Sequence, residues 1–403
     1  MLSTESATLV RATLPTVGAA LDAITARFYD TMFAERPELL DGLFNRGNQA
    51  NGQQRRALAG SIAGFAAALV DSPDERPDAL LARIAHKHAA VGVTEDQYVI
   101  VHKYLFAAIA DVLGEALTPE VAAAWDEVYW LMAGALIARE ARLYAEAGAA
   151  SGDTWRTWTV VQRVTETSDV VSFTLRPTGA EPVPPARPGQ YVSVRVRMPD
   201  GLEQQRQYSL SAGVGSDLRR ITVKREAGGA DEAGHGATPP GEVSSLLHDT
   251  VEVGDALRLS APFGDVHLEE GTAPVVLACA GIGCTPISAM LHFLAAHQPQ
   301  RRVLLLHADR SPATHALRRE TEELIGAMDN AERIFWYEEG GDGDSLPGRM
   351  RLDGVDLPTD AEVYLCGPLP FMRDVRSQLL AAGVPARAVH YEVFGPDLWL
   401  GAD

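Results

Sequence analysis

Polar side chains with catalytic potential lie on amphipathic stretches in the first third of the chain. Between residues 79 and 89, Leu80, Ile84 and His88 share one predicted helix face, whereas His86 is rotated to the opposite side. His88 therefore continues an apolar stripe. A histidine in this position is either a core residue satisfied by hydrogen bonds or a ligand, and the stripe alone leaves both open.

Two further polar side chains accompany apolar faces in this region. Gln54 heads a stripe, so its amide either points toward a ligand or marks a helix end that meets solvent. The stripe continues through Leu58, Ile62, Phe65 and Leu69. Tyr29 adjoins the apolar face of Phe28, and a phenol that enters a core needs a hydrogen-bond partner. Both side chains are candidates for contacts with a bound molecule.

The tetrapeptide Arg206–Ser209, in the middle of the chain, has residue types that suit a flavin. Its guanidinium can pair with a pyrophosphate, its aromatic ring can lie on a ring face, and its hydroxyl can bond to a ring nitrogen. By itself it also fits an ordinary exposed strand end. The flanking segments 188–191 and 223–226, and a predicted helix that opens at Gly241, favour the flavin interpretation, because helix-start amides bind pyrophosphate.

The segment Gly281–Pro286 follows an apolar strand, Val275–Ala280, and precedes a helix, which is the setting that a phosphate-binding turn requires. Glycines allow close approach of a ligand, and Pro286 begins the helix without wasting an amide. The residues Cys366, Gly367 and Pro368 follow another strand, and ligands bind at the carboxyl ends of parallel strands. Cys279 is interpreted as core packing.

Asp309 and Arg310 follow a further strand, Val303–His307, and bear on the nicotinamide cofactor. The carboxylate argues for a free ribose 2′-hydroxyl and the guanidinium for a 2′-phosphate. We favour NADH over NADPH.

The periodicity predicts three domains. Residues 1–147 carry helical periodicity and form an all-α domain. Residues 152–266 alternate as strands of an antiparallel barrel or sandwich, with a Gly-, Ala- and Pro-rich surface insertion at 228–241. Residues 271–403 alternate strand and helix, which predicts a doubly wound parallel α/β domain.

Composition narrows the class of protein. The chain has 403 residues, 46% of them hydrophobic and 22% charged, which fits globular domains and excludes disorder or a fibre. Its net charge of −19 argues against nucleic acid and anionic membranes as partners. Only Cys279, Cys284 and Cys366 occur, which fits a reducing compartment. Without an apolar leader or a long apolar run, we expect a cytoplasmic monomer with no membrane span.

The helical third resembles the haem domain of bacterial and yeast flavohaemoglobins. The matching stretches are Phe28-Tyr29-Asp30, Pro37-Glu38-Leu39, Asn48-Gln49, Asn51-Gly52 with Gln54, Lys87-His88, Gln97-Tyr98 and Arg139-Glu140-Ala141. The middle part resembles the FAD domain of the ferredoxin-reductase superfamily, and the last part its nicotinamide domain. All three follow in the order of the flavohaemoglobin family.

The resemblance implies a role for residues in the helical part. It assigns His88 as the proximal iron ligand and Tyr98 with Glu140 as the groups that hold its other ring nitrogen. A histidine bonded to a carboxylate donates more electron density to iron, which favours dioxygen activation over storage. Tyr29 and Gln54 would be distal donors, with Leu58 shaping the apolar pocket.

The resemblance also implies contacts with the other cofactors. Phe394 would shield the flavin until nicotinamide displaces it. The remaining implied cofactor-binding residues are Lys87, Tyr191, Arg206, Gln207, Tyr208, Ser209, Lys224, Gly241, Val243, Ser244, Gly281, Gly283, Thr285, Pro286, Cys366, Gly367, Pro368 and Glu392.

The reaction implied by the resemblance is nitric oxide dioxygenation. A hydride would pass from NAD(P)H to FAD, single electrons from FAD to haem iron, and nitric oxide and dioxygen would yield nitrate. Two alternatives stay open. One keeps the electron path with peroxides, quinones or dioxygen as acceptor, and the other is a haem gas sensor or carrier.

Overall fold

The computed structural model describes residues 2–41, 53–74, 77–180, 182–212, 217–230 and 237–395. Residue contacts divide the chain into two compact units. The first consists of Met1–Trp155, Arg195–Arg206 and Gly395–Asp403, and the second of Arg156–Val194 and Gln207–Phe394. Since the second unit combines residues of both predicted sheet domains and residues 195–206 fall in the first, the three domain boundaries stay predictions. The motif at 48–52, the tail beyond 395 and the centre of the insertion, 231–236, lie outside the described residues.

The described α-helices of the first unit are α1 Thr4–Glu35, α2 Gln53–Asp71, α3 Asp78–Val91, α4 Glu95–Leu113 and α5 Pro119–Glu146. Side chains explain where they begin. Ser3 Oγ accepts a hydrogen bond from the Ser6 amide at 3.2 Å, at the start of α1. Thr94 and Gln97 form a reciprocal capping box at the start of α4. The predicted all-α character of this region is confirmed.

One described helix, α5, is long and apolar enough to cross a membrane by length and composition alone, with a mean hydropathy of 1.3 over its best window. Charged residues interrupt its apolar stretches, so it contains no long uninterrupted apolar run. Val121, Trp125 and Val128 of α5 pack in one core cluster with Val10 and Phe28 of α1. This packing is typical of a core helix in a helical domain.

A closed antiparallel barrel follows along the chain, mostly in the second unit, which confirms that prediction. Its strands are β1 Arg156–Thr165, β2 Val170–Pro177, β3 Tyr191–Arg197, β4 Glu203–Ala212, β5 Arg219–Lys224 and β8 Ala256–Leu259, in the order β1-β2-β5-β4-β3-β8. Val160, Phe173, Leu210 and Ile221 are fully buried. Between β5 and β8, two short antiparallel strands (β6 Gly229–Ala230, β7 Ala237–Thr238) precede helix α6 Glu242–Thr250.

A six-stranded parallel sheet completes the unit, as the doubly wound prediction requires. It consists of β9 Val275–Ala280, β10 Val303–Asp309, β11 Ala331–Tyr337, β12 Ser345–Pro347, β13 Glu362–Cys366 and β14 Val389–Glu392, in the order β12-β11-β10-β9-β13-β14. The helices are α7 Cys284–His297, α8 Arg318–Gly326 and α9 Leu369–Ala381. The strand order reverses at β9 and β13, and ligands bind at such a switch point.

Some local predictions were wrong. Helix α7 begins at Cys284, so Pro286 is its third residue and not its first. Pro286 still lies in the first turn, where amides lack helical acceptors, so its missing N–H costs nothing. No strand was predicted at β8 or β11. Arg206–Ser209 lie within β4, so the alternative of an exposed strand end does not apply to them.

Candidate functional site

A buried hydrogen-bond triangle joins three helices of the first unit. His88 on α3 bonds through Nδ1 to Glu140 Oε1 on α5 at 2.8 Å and to the Tyr98 hydroxyl on α4 at 3.0 Å. The Tyr98 hydroxyl donates to the same Glu140 oxygen at 2.6 Å. The Glu140 side chain is 3% exposed. The structure therefore brings together the three residues that the resemblance assigns to one side of the iron.

Protonation follows from this geometry. A carboxylate only accepts, so Nδ1 of His88 carries the ring proton and donates it to Glu140. Burial first, and then the Glu140 carboxylate, raise the pKa of the Tyr98 phenol, which therefore stays a donor. Tyr129 in turn holds the backbone of Tyr98 in place, since the Tyr129 hydroxyl donates to the Tyr98 carbonyl at 2.6 Å.

The opposite ring nitrogen of His88 is available for a ligand. Nε2 makes no hydrogen bond to a described residue, and the His88 side chain is 36% exposed although its Nδ1 partner Glu140 is buried. A neutral imidazole with its proton on Nδ1 presents a lone pair at Nε2, which is the form that binds metals.

The helix face around His88 differs from the predicted core stripe. The packed face of α3 runs through Leu81, Ala85 and Ala89, one residue later than predicted. Leu80 and Ile84, which share the face of His88, are only partly buried against the core cluster. An apolar wall that is left partly open and ends in a metal-binding nitrogen fits a flat apolar macrocycle with a central metal. The residues present thus fit a haem.

The predicted distal residues lie on α1 and α2. Tyr29 is 3% exposed, and its ring stacks on Phe33 with a centroid distance of 5.6 Å. Gln54 is the second residue of α2 and is half-buried, and Leu58 one turn later packs against the cluster that includes Tyr29. The buried phenol predicted for Tyr29 is present, and the roles of the three residues stay predictions.

Lys87 and His102 of the first unit also occupy defined positions. Lys87 donates from Nζ to the Gly395 carbonyl at 2.6 Å. His102, a rival ligand by residue type, bonds through Nε2 to Asp126 at 2.6 Å and stacks on Phe106. Its Nε2 is thus engaged in a hydrogen bond within the protein.

The flavin motif lies along β4, in which three partly buried residues, 206–208, are followed by three buried ones, 209–211. Ser209 is 6% exposed, Gln207 and Tyr208 are half-buried, and Arg206 donates from Nη1 to the Gln205 carbonyl at 2.8 Å. Tyr191 on β3 is 5% exposed. Lys224 is the last residue of β5. These positions put the motif on the barrel wall and leave its flavin contacts as predictions.

The predicted phosphate helix forms as α6, with Gly241 at its N-cap. The Val243 side chain is 1% exposed. Ser244 Oγ accepts from the Glu226 amide and donates to the Gly241 carbonyl, both at 3.1 Å. Since these side chains serve local structure, Val243 and Ser244 can offer an anion only their backbone amides, which have no helical acceptors in the first turn.

The turn after β9 lies against the end of β13. Gly281 has a φ of 52°, and a Cβ on Gly283 would come within 2.4 Å of the Cys366 carbonyl oxygen. Only glycine allows this approach. Thr285 Oγ1 donates to the Ile282 carbonyl at 3.0 Å, which tightens the start of α7. Gly367 and Pro368 lead from β13 into α9. The two predicted ligand loops thus meet at the switch point of the sheet.

The thiols near this turn are buried. Cys279 contacts His307 Nδ1 at 3.2 Å, which agrees with its predicted packing role. Burial raises the pKa of Cys284 to about 12, and that of Cys366 is also raised. Neutral buried thiols do not act as nucleophiles.

At the end of β14, Glu392 is 6% exposed, whereas Phe394 is 46% exposed.

The sequence suggested that Asp309 presents its carboxylate to a ribose, but in the structure this carboxylate is turned into the protein. Its side chain is 6% exposed, and Oδ1 accepts from the Thr314 hydroxyl at 2.6 Å and from the Arg310 amide at 2.7 Å. The other oxygen faces His307 Nε2 at 3.5 Å. Arg310, in contrast, is 64% exposed. The position of Asp309 therefore no longer supports a preference for NADH over NADPH.

Sequence reasoning missed a buried cluster beside Asp309 and an ion pair between the barrel and α8. His307 stacks on His315 at 3.7 Å, and His315 Nδ1 bonds to the Tyr337 hydroxyl at 2.7 Å. Arg220 pairs with Glu320 at 2.6 Å. Neither set has a spacing signal in the sequence, because its members lie on different elements.

Comparison with known proteins gives a consistent result. The globin family model matches residues 26–136, and the model of an oxidoreductase NAD-binding domain matches residues 277–377. A flavohemoprotein of Bordetella parapertussis is 42% identical over 98% of this chain and 99% of its own length. One of Rhizobium meliloti is 39% identical over 99% of this chain and 100% of its own length.

Solved structures agree. The flavohemoglobin of Malassezia yamatoensis, whose crystal structure contains FAD and haem, is 40% identical with a TM-score of 0.88 and covers 98% of this chain and 100% of its own. The FAD/NAD-binding domain of a nitric oxide dioxygenase from Vibrio cholerae is 41% identical, with a TM-score of 0.55, over 60% of this chain and 99% of its own. With its helical domain, closed barrel and parallel sheet in this order, the chain belongs to the flavohemoprotein family.

Proposed function

We propose that this protein is an NAD(P)H-dependent nitric oxide dioxygenase that binds haem, FAD and a nicotinamide nucleotide. In the balanced reaction, one NAD(P)H, two dioxygen and two nitric oxide molecules give NAD(P)⁺, two nitrates and a proton. The observation that supports this function is the bond from His88 Nδ1 to the buried Glu140 carboxylate at 2.8 Å. A plain oxygen carrier does not need a charged group there, whereas oxygen activation benefits from one.

When bound, haem supplies the iron that activates dioxygen, and FAD converts a two-electron hydride into single electrons. The chain's own residues prepare the iron site. His88 provides Nε2 as the ligand, and Glu140 fixes the ring tautomer and increases the basicity of Nε2. Tyr98 holds the carboxylate on the side away from the pocket, since its hydroxyl donates to Glu140 at 2.6 Å.

On the other side of the pocket, Tyr29 and Gln54 act as hydrogen-bond donors toward the substrate. The burial of Tyr29, which is 3% exposed, strengthens any hydrogen bond that its hydroxyl makes there. Leu58 and Ile62 exclude water from the same pocket.

In the reductase part, backbone groups bind the nucleotides. The first amides of α6 receive the FAD pyrophosphate, and the turn Gly281–Gly283 with Gly367 lets the nicotinamide approach without a side chain in its way. The cysteines are free thiols, which supports a reducing compartment, and we infer a cytoplasmic protein.

The test is aerobic nitric oxide consumption at an electrode after addition of NADH, with nitrate measured as product. We compare the wild type with His88→Ala, Tyr29→Phe and the matched control His86→Ala, which removes a histidine from the same helix. Fast consumption that is lost in His88→Ala, strongly reduced in Tyr29→Phe and unchanged in the control supports the proposal. Slow consumption by a haem- and FAD-loaded wild type would refute it and favour another acceptor or a gas sensor.

A further inference from the structure

A charged cluster joins the barrel to the α/β part of the second unit. Arg220 on β5 donates from Nη1 to Glu320 Oε2 at 2.6 Å and from Nη2 to Glu320 Oε1 at 2.8 Å. Glu320 lies on α8, and the two side chains are 16% and 25% exposed. Although burial opposes ionisation, contacts with His292 and Arg220 lower the pKa of Glu320 to about 2. Two parallel charge-assisted bonds fix orientation as well as distance.

Arg220 is oriented by the barrel itself. Its Nε donates to Ser211 Oγ and its Nη2 to the Ser211 carbonyl, both at 3.0 Å. Ser211 Oγ also bonds to Thr222 Oγ1 at 2.8 Å, and Thr222 bonds to Ser172 at 2.8 Å. Ser211 lies on β4, two residues after Ser209, the last residue of the flavin motif. The guanidinium is thus fixed to the strand that carries the flavin motif.

On the other side, the cluster holds the helix that follows the nicotinamide turn. Arg220 Nη2 reaches Ser288 Oγ at 3.3 Å, and His292 Nε2 contacts Glu320 Oε1. Ser288 and His292 are one turn apart on α7, which begins directly after the turn Gly281–Gly283. Because a helix moves as a rigid body, the position of α7 fixes that of the turn.

Apolar packing at the same junction does not set orientation. Val170 and Val266 share a core cluster with Ile287 and Met290 of α7. Apolar burial is non-directional, so it holds the two parts together without selecting one register. A partly buried ion pair adds little net stability, whereas its two parallel bonds are directional and constrain the orientation of the two parts.

We propose that Arg220 and Glu320 are positioning residues for hydride transfer, which set the distance between the flavin ring and the nicotinamide. This inference rests on the proposed function. In the step, the hydride leaves the nicotinamide with both electrons and bonds to the flavin, so NAD(P)H is oxidised to NAD(P)⁺ and FAD is reduced to FADH⁻. Its rate depends on a donor–acceptor separation of about 3 to 3.5 Å.

The experiment measures anaerobic flavin reduction by NADH in the full-length holoprotein by stopped flow. We compare the wild type with Glu320→Gln, Arg220→Lys and the control Glu323→Gln. Glu323 is on the same helix but forms an exposed pair with Arg319, with side chains 63% and 92% exposed. We expect the maximum rate to fall about tenfold or more in both test variants, with the NADH dissociation constant changed less than about threefold. The control should match the wild type.

Each outcome has one meaning. If the wild type does not reduce its flavin with NADH, the proposed function fails and not only the positioning role. If the wild type is fast and both test variants keep its maximum rate, the positioning role is wrong. If Glu320→Gln loses FAD, Arg220→Lys decides, because it retains the charge and loses the two-bond geometry. An unchanged maximum rate in that variant overturns the proposal.

Discussion

The Glu140→Gln substitution tests whether the buried carboxylate controls the electronics of the bound iron. Glutamine preserves the size of the side chain and an oxygen that can accept from His88 and Tyr98, but it removes the charge. In the wild type, the bond from His88 Nδ1 to Glu140 is 2.8 Å long, and the carboxylate is 3% exposed. The variant therefore changes a charge-assisted bond into a neutral one at the same place.

The size of the effect follows from the two kinds of bond. A hydrogen bond to a charged group contributes about 1.5 to 3 kcal/mol and a neutral one about 0.5 to 1.5 kcal/mol, so the substitution removes about 1 to 1.5 kcal/mol. The negative charge stabilises the oxidised iron more than the reduced iron. For a one-electron couple, the midpoint potential should rise by about 45 to 65 mV.

The assay is a spectroelectrochemical titration of the haem absorbance in the full-length protein. Glu146→Gln is the matched control, since Glu146 lies on the same helix in an exposed pair with Arg142, with side chains 60% and 83% exposed. Its potential should equal that of the wild type. A fall in potential for Glu140→Gln, or a shift no larger than that of the control, would refute the link between the carboxylate and the iron.

Three further predictions concern other parts of the molecule. Tyr98→Phe removes a donor to Glu140 and leaves the carboxylate in place, so the haem potential should move less than in Glu140→Gln in the same titration. Gly283→Ala places a Cβ within 2.4 Å of the Cys366 carbonyl oxygen, so flavin reduction by NADH should slow about tenfold or more. Dithionite should still reduce the haem of this variant. The control Gly343→Ala adds a Cβ in open space and should reduce its flavin at the wild-type rate. Burial, followed by His307, lowers the pKa of His315, so the unfolded chain binds one more proton at acid pH and stability falls as the pH drops below about 6.5. When the pH falls from 7 to 5.5, the free energy of unfolding of His315→Gln should decrease by about 1 kcal/mol less than that of the wild type or of His297→Gln, a control at an exposed histidine. Urea unfolding followed by FAD release measures this free energy. Equal decreases in all three proteins would contradict the assignment.

The haem site could be predicted from the sequence because its signals are local and repeated. His88 is a polar residue on an apolar helix face, and the resemblance supplied Tyr98 and Glu140, which the structure places within hydrogen-bond distance. Periodicity failed on one detail, the rotation of α3. It cannot distinguish a face that is fully packed on protein, through Leu81, from one that is left partly open, through Leu80, because both are apolar.

The reductase part was less predictable because its polar residues act through distant partners. Asp309 sits where a ribose-binding carboxylate would, yet Thr314 and His307 turn it inward. Residue type and position could not reveal this, since the inward orientation depends on how the loop after β10 folds back and places the Thr314 hydroxyl on the carboxylate. Arg220 and Glu320 are separated by 100 residues, and each resembles an ordinary surface charge in the sequence.

Buried Glu140 and the partly buried pair of Arg220 and Glu320 lie where this fold requires orientation rather than stability. Glu140 lies among helices with a large apolar core, and Arg220 with Glu320 lies beside the apolar cluster of Val170 and Ile287. Apolar residues of similar volume would be as stable or more stable at such positions, because desolvation of the charges offsets their attraction. Apolar contacts could not fix the tautomer of His88 or the register of α7 on the barrel. If this reasoning holds, both sites should tolerate substitutions in folding better than in electron transfer, and the potentials and rates proposed above would change before the melting temperatures do.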